Sequence, residues 1–385
     1  ISVESLGLLY QMHWPFRQVE SARGARRTAF HDQLVARGAC MGELCGWERA
    51  NWYGAPGSSP RYEYSFGRQN WFANVAAECA AVRDAVALFD QSSMAKFIVQ
   101  GRHACRVLNR LSTAEMDVAP GRIVYTQWLN EAGGIEADLT VTRLAPDRYL
   151  VVTSVSSQVH DLAWLAEHID PDAHCSVTDV TSGLPMLGLM GPASRALLAE
   201  LSGEALGNEA FAFGTSRDIE IGYAVVRASR ITYVGELGWE LYIPAEFAGH
   251  VFERIVEAGA RHGLKLAGFH AMNACRTEKG YRHWGHDIGI EDTPLEAGLS
   301  FTCAWDKPGG FIGREALLRQ RERGTPAKRL LQFRLDDGEA LVYHEEPIFA
   351  DGLPVGVVTS GMYGHRVGAS LAMGYVRQPQ PITAD

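Results

Sequence analysis

From residue 75 onward the chain acquires a regular rhythm of apolar and polar positions. VAAECAAVRDAVALF (75–89) repeats alanine and valine at three- and four-residue steps, which predicts a helix with one apolar face. KFIVQG (96–101) is a short apolar run closed by glycine and predicts a strand; RHACRVLNRLS, directly after Gly101, returns to helical spacing. The same order recurs in LGLMG (187–191) followed by PASRALLAELSG. Gly101 aligns with Gly191, Leu108 with Leu198 and Leu111 with Leu201, each pair 90 residues apart, and Pro192 suits a first helical turn. The agreement predicts an internally duplicated α+β layer, a sheet with helices on one face.

Each copy is followed by a hairpin pattern. RIVYTQWLN (122–130) runs through EAGG into IEADLTVTRL (135–144). Along the return strand Ile135, Ala137, Leu139 and Val141 fall on one face, and Glu136, Asp138, Thr140 and Thr142 on the other. In the second copy SRITYV and WELYIP flank GELG (235–238), and a four-residue loop closing Val234 onto Trp239 pairs Tyr233 with Glu240. Helices are expected at about 246–262 and 268–280, the latter stopped by Gly280. From about 329, LLQFRL, PIFAD, GLPVGVVTSG and ASLAMGYV read as short strands between glycine turns, a small terminal β-domain. Residues 1–74 differ in being rich in Arg, Gly and Trp, with a loop-like GAPGSSPR at 54–61. The arginines of 17–27 suit either an anion site or, preferably, a solvated face with ion pairs.

Composition narrows the class. The length of 385 residues allows two or three domains, and 46% apolar with 21% charged residues is that of a globular protein with a large core. Mean hydropathy is -0.10 and no uninterrupted apolar run reaches about 18 residues, so no membrane span is expected. A net charge of -9 without blocks of like charge gives a nucleic-acid face no support. Seven cysteines, an odd number at scattered positions without C-x-x-C, read as reduced, buried thiols of an intracellular protein. Ile1 in place of methionine, leading into an apolar stretch, reads as a piece of something longer.

No G-x-G-x-x-G after a strand, P-loop or G-x-S-x-G occurs, so a Rossmann-type nucleotide or flavin site has no support within these residues. His283 and His286 are three apart, but without further ligands a capping or core role is preferred and no metal is expected. Three features remain. Asp138 follows a Gly-Gly turn on a polar strand face, Tyr233 and Glu240 are paired across a hairpin, and Arg276 shares a helix face with Met272 and Gly280. Taken singly, each also suits a structural role: a capping residue, a sheet-surface hydrogen bond, a salt bridge.

Taken together, YTQWLNEAGGIEADLTVTR, ITYVGELGWELYIP, ACRTEKGYRHWGHD and TPLEAGLSF resemble the folate-dependent aminomethyltransferases, the family of the T-protein of the glycine cleavage system. The resemblance runs from about residue 70 to the end. RTEKGYRHWGHD and GWERANWYG look more narrowly like the C-terminal half of dimethylglycine and sarcosine dehydrogenases or oxidases, which carry a flavin domain ahead of that half. The resemblance implies ferredoxin-like layers plus a C-terminal β-domain, ring-like around a folate cleft. It implies residues 1–70 as a linker or central region following a missing FAD domain in cis, 71–325 as the folate-binding domain and 326–385 as the C-terminal β-domain. It further implies Asp138 as the catalytic carboxylate and Tyr125, Tyr233, Glu240 and Arg276 as lining the tetrahydrofolate site. A hairpin symmetric about Ala132 turns Tyr125 away from Asp138; a bulge at Gly133 or Gly134 would bring them opposite each other, and is expected.

The chemistry agrees. Oxidation of a methylated donor amine yields an iminium, and a carboxylate near the folate nitrogens can relay protons and counter the positive charge, a role for Asp138. Glu240 can accept neighbouring pterin N–H groups. Tyr233 and Phe213 can stack on the rings. Arg276 can meet the anionic tail or orient Asp138 or Glu240. The expected protein is the one-carbon-transferring part of a flavin-dependent dimethylglycine- or sarcosine-type enzyme forming 5,10-methylenetetrahydrofolate, located in the bacterial cytoplasm or, in a eukaryote, the mitochondrial matrix. The rivals are a free-standing glycine-cleavage-type aminomethyltransferase and a non-catalytic folate-binding module. EKGYR lacks the cysteine of the relatives used in iron–sulfur assembly.

Overall fold

The computed structural model describes residues 2–21, 23–55, 58 and 60–378. Helices α1 (Ser2–Leu8) and α2 (His31–Ala36) precede a hairpin of β1 (Ala39–Leu44) and β2 (Trp47–Tyr53). Its two-residue turn puts both Cys45 and Gly46 at positive φ, 51° and 84°, the geometry that matches strand twist. Then come α3 (Phe72–Asp84), β3 (Val86–Asp90), β4 (Ala95–Gln100), α4 (Ala104–Leu111), β5 (Ile123–Leu129), β6 (Ile135–Ala145), β7 (Arg148–Thr153), α5 (Gln158–Glu167) and β8 (Ser176–Asp179). The second half brings β9 (Met186–Met190), α6 (Ser194–Ser202), β10 (Ser216–Ile221), β11 (Ala224–Ser229), β12 (Gly238–Tyr242), α7 (Ala248–Gly259), β13 (Leu264–Leu266) and α8 (Phe269–Glu278). The chain closes with α9 (Arg314–Glu322), β14 (Lys328–Arg334), β15 (Pro347–Ala350), β16 (Leu353–Gly364) and β17 (Ala369–Arg377).

The duplication is real at the level of topology. One sheet runs β5-β6-β7-β4-β8 and another β10-β11-β12-β9-β3-β13. In both, a strand and helix lead into a three-strand meander whose last strand pairs with the first. Gly101 and Gly191 have φ of 127° and 128°. A Cβ there would meet the His174 carbonyl oxygen at 2.2 Å and the Ala85 carbonyl oxygen at 2.6 Å, so each copy needs glycine at its strand-to-helix corner.

The helix expected over 75–89 ends at Asp84. Ala85 leaves helical geometry (φ -141°), and Val86–Asp90 is a strand with every residue buried, paired on both sides by β9 and β13. A strand covered on both faces shows no polar alternation, so its apolar run continued the helical pattern of α3.

The chain forms two compact units, each discontinuous in sequence. The first comprises residues 1–94, 181–279 and 364–368. Its core joins Phe30, Leu34 and Tyr53 to Leu88, Leu189 and Trp239, so part of the region expected to be a linker supplies core. In its arginine run Arg23 pairs bidentately with Glu48 at 2.7–2.8 Å, Arg27 with Asp32 at 3.8 Å, and Arg26 lies over the Trp47 ring. The second unit comprises residues 95–180, 280–363 and 369–385. Phe97, Leu108, Trp128, Leu139 and Val151 form its main core. The terminal four-stranded sheet, ordered β14-β17-β16-β15, matches the expected β-domain. All seven cysteines are unpaired; Cys45, however, is exposed, and Cys105 and Cys175 are only half-buried. No helix among the described residues is long and apolar enough to cross a membrane.

Candidate active site

Asp138 stands on β6 in the second unit, half-buried and facing away from Ala137 and Leu139, which enter the core. Gln127 Nε2 donates to Asp138 Oδ1 at 2.7 Å. The Gln127 side chain is fully buried, and its Oε1 accepts from the Thr302 hydroxyl at 2.5 Å. An ionised carboxylate only accepts, so Asp138 itself selects the amide nitrogen, leaving Oε1 to the Thr302 hydroxyl. Burial pushes the Asp138 carboxyl up to about 6; hydrogen bonds from Gln127 and Tyr125 and the charge of Arg282 pull the other way. The result is an acid poised between its two protonation states near neutral pH.

The β5–β6 register corrects the expected bulge. Gln127 pairs with Asp138 and Tyr125 with Thr140. The irregularity lies between the pairs Trp128–Ala137 and Leu129–Ile135, so Glu136 is the extra residue, not Gly133 or Gly134. Tyr125 is therefore not opposite Asp138. It lies two residues from Gln127 on the same face, and its hydroxyl reaches Asp138 along the diagonal. The glycines are committed elsewhere: a Cβ at Gly134 would sit 1.8 Å from the Ile290 carbonyl oxygen. The displaced Glu136 accepts from Asn130 at 3.0 Å and pairs with His160 at 3.2 Å. His160 in turn contacts the fully buried Asp161 at 2.9 Å.

Glu240 stands on β12 in the first unit, and here the expected Tyr233 pairing fails. Ser229 of β11 is opposite Glu240 on one side and Gly188 of β9 on the other. The Ile231 N–H turns back to the Ser229 carbonyl (3.0 Å), ending β11, and residues 230–237 form a loop that contains Tyr233. Arg83 ties that loop down through the Val234 carbonyl (2.7 Å) and Glu236 (2.9 Å). Tyr242, two residues along the same face, donates its hydroxyl to Glu240 Oε2 at 2.7 Å; burial raises the Tyr242 phenol well above its ordinary value. Beside them Gln91 is 4% exposed, and its Oε1 is buried without a hydrogen-bond partner. That oxygen lies 2.1 Å from where a Cβ on Gly188 would be, so glycine makes the space it occupies. A carboxylate next to an orphaned buried acceptor is a donor-seeking surface, suited to a ligand edge with several N–H groups.

Arg276 is 2% exposed on α8 and its Nε donates to Asn273 at 2.7 Å. Phe213 sits in a turn and is 63% exposed. The His283 backbone N–H donates to Asp287 at 3.0 Å, and among the described residues no three His, Cys, Asp or Glu are grouped to hold a metal ion. Gln127, Tyr242 and Gln91 went unnoticed in the sequence. Two of them carried a signal: Gln127 and Tyr242 each lie two residues from a candidate on the same strand face. Gln91 is brought in by the β3–β9 pairing, which only the fold reveals.

The duplicated α+β chain thus carries Asp138 on one copy and Glu240, with Tyr242 and Gln91 beside it, on the other. The chain belongs to the glycine cleavage T-protein family: the GCVT N-terminal domain matches residues 30–307, and the glycine cleavage T-protein C-terminal barrel domain matches 328–383. It is 46% identical over 382 residues to 4-methylaminobutanoate oxidase (formaldehyde-forming) of Paenarthrobacter nicotinovorans, covering 99% of this chain and 46% of that protein. It is 36% identical over 424 residues to mitochondrial sarcosine dehydrogenase of Homo sapiens, covering 100% of this chain and 46% of that one. It thus spans about half the length of these relatives. The crystal structure of the glycine cleavage system aminomethyltransferase T from Bartonella henselae superposes with a TM-score of 0.78 at 26% identity, over 92% of this chain and 90% of that one.

Proposed function

We propose that this chain is the tetrahydrofolate-dependent one-carbon transfer part of a flavin-dependent enzyme acting on N-methylated amino acids, of the dimethylglycine or sarcosine type. The observation that carries the reading is Asp138, a strand-borne acid that burial raises to about 6 while Gln127, Tyr125 and Arg282 hold and orient its ionised form. Tetrahydrofolate, when bound, supplies the nucleophilic nitrogens that accept the one-carbon unit. Asp138 would take the proton released as the first carbon–nitrogen bond forms and return it to the departing amine, freeing itself to take the proton lost as the second bond closes; as the anion it offsets positive charge on the reacting group. Gln127 and Tyr125 keep the carboxylate oriented through that exchange. Glu240, with Tyr242 behind it and Gln91 beside it, offers acceptors to the N–H edge of the pterin. Tyr233, Arg276 and Phe213 remain proposed contributors, for stacking or charge. The FAD-carrying partner domain in cis is likewise part of the proposal; it accords with relatives about twice as long.

Calorimetric titration with tetrahydrofolate tests the reading. Glu240→Gln is expected to weaken binding by about 1.5–3 kcal/mol, the worth of a hydrogen bond to a charged group. Asp138→Asn is expected to bind nearly as wild type while slowing formation of methylenetetrahydrofolate in the flavin-linked enzyme. Equal affinity of wild type and Glu240→Gln removes the pterin assignment. The free-standing aminomethyltransferase reading draws on the Bartonella structure; it requires that a lipoylated carrier, not a methylated amine, supply the carbon to the purified protein.

A further inference from the structure

Arg49, the arginine of GWERANWYG, takes no part in the chemistry above. It stands on β2 opposite Gly42, and its guanidinium lies over the ring of Phe269, the first residue of α8, 4.0 Å from the centroid. Its Nε is buried without a hydrogen-bond partner. Among the described residues no carboxylate oxygen comes within ion-pair distance of it. The contrast within the same unit is sharp: Arg23 is paired with Glu48, and Arg83 with Glu236 and Glu278.

The polar groups packed around Arg49 are occupied with one another, and the nearest acid, Glu43, is engaged in its own turn. Asn51 Nδ2 donates to the Tyr62 hydroxyl at 2.7 Å, so that hydroxyl donates onward to His270 Nε2 at 2.9 Å. Burial, and then the Arg49 charge, press His270 down to about 3, so it stays uncharged. Burial likewise raises the Tyr62 phenol. Glu43, the nearby acid on β1, accepts the Gly46 N–H at 2.5 Å in its own turn. Burial pushes Arg49 itself down to about 10, although Tyr62, Cys45 and Glu43 pull the other way, and none of them pairs with it directly. Such a buried charge without a direct ion-pair partner is costly to keep.

We propose that Arg49 anchors a binding site for a small carboxylate. A planar guanidinium already stacked on an aromatic floor presents its donors at the spacing of two carboxylate oxygens, with little side-chain freedom left to lose. A single guanidinium with an acid, Glu43, in its vicinity balances at most one further negative charge and suits a monocarboxylate better than a phosphate dianion. The ligand class is the amino acid that donates the one-carbon unit or remains after it, which bears a carboxylate in every case; this choice of ligand rests on the function proposed above, whereas the site does not.

The test is thermal unfolding of the purified protein in Tris chloride with 100 mM added sodium acetate, N-methylglycine or sodium chloride, together with calorimetric titration by N-methylglycine. Acetate and N-methylglycine are expected to raise the wild-type Tm by several degrees beyond chloride. Arg49→Met is expected to melt higher than wild type when no carboxylate is added and to lose at least tenfold in affinity for N-methylglycine; Arg49→Lys is expected to keep part of that affinity. Equal responses to acetate and chloride overturn the proposal, as does a carboxylate response that survives in Arg49→Met. A lower melting point of Arg49→Met without carboxylate assigns the guanidinium to structure and overturns it too. No folate enters these measurements, so their failure is separate from a failure of the Glu240→Gln titration.

Discussion

Asp138 holds its proton more tightly than an aspartate in water does, and this has a consequence for stability as well as chemistry. Its folded value, about 6, lies above the ordinary 3.8. The fold therefore favours the neutral acid: its contribution is fully present below the ordinary value and is lost as pH rises through about 6. Asp138→Asn, which is neutral at every pH, is expected to be more stable than wild type at pH 8 by on the order of 1–2 kcal/mol, a half-buried carboxylate regaining part of its burial cost from water. The two should converge near pH 4; chemical denaturation at both pH values decides it, and a variant that is less stable at pH 8 refutes the assignment. Gly188 permits a second test at this scale. The atom a new Cβ would strike is the end of the flexible Gln91 side chain, so Gly188→Ala is expected to fold while displacing Gln91. Tetrahydrofolate affinity should then fall by roughly tenfold with Tm lowered by only a few degrees, a split that a general folding defect would not produce. The sequence made Asp138 and Glu240 legible because polar residues alternate with core residues on their strands. It misplaced their partners because hydrogen-bond partners follow register, and a single displaced residue, Glu136, changes register without changing the alternation.

At the scale of elements, what was legible was whatever repeats or alternates. The strand-glycine-helix corners at Gly101 and Gly191 were read correctly because both must leave ordinary backbone geometry at a close approach to another carbonyl. The second hairpin was misread because GELG looks like a turn, whereas the strand had already ended at Ser229. Other supports are side chains that reach across elements, which no local pattern reveals. Lys307 is the clearest. Only 8% exposed, its ammonium donates to the carbonyls of Asn109 (2.6 Å) and Ala114 (2.7 Å) and also of Ser112, gathering the orphan acceptors past the end of α4. Burial lowers it to about 8. Lys307→Met keeps the stem and strands those carbonyls, and is expected to cost about 3–5 kcal/mol by urea denaturation. In wild type, the depressed ammonium should favour unfolding as pH falls from about 10 to 8; Lys307→Met should lack that component.

At the scale of the whole molecule, the two copies share a topology but differ in how much they depend on the rest of the chain. Every buried member of the first copy's core, from Ala95 to Leu165, lies within the continuous segment 95–180, which also holds all five strands of its sheet. The second copy is built otherwise. Its sheet is completed by β3, which precedes it by almost a hundred residues, and by β13, and its core includes Phe30, Leu34, Ala39, Ala50 and Tyr53 from the start of the chain. A segment of 86 residues is large enough to bury a core of its own, but a sheet deprived of an interior strand and seven of its 26 buried core residues is not. The fragment 95–180 is therefore expected to fold alone, with dispersed amide resonances and a cooperative melt, although less stably than in the full chain because the carbonyls served by Lys307 pass to water and Gln127 loses Thr302. The fragment 181–279 is expected to remain unfolded or to aggregate under the same conditions. Folding of both, or of the second alone, would mean that sheet topology rather than core continuity sets autonomy. If the first fragment folds, the Asp138 carboxyl should titrate lower in it than in the full chain, since a sheet face opened to water no longer raises the acid by burial.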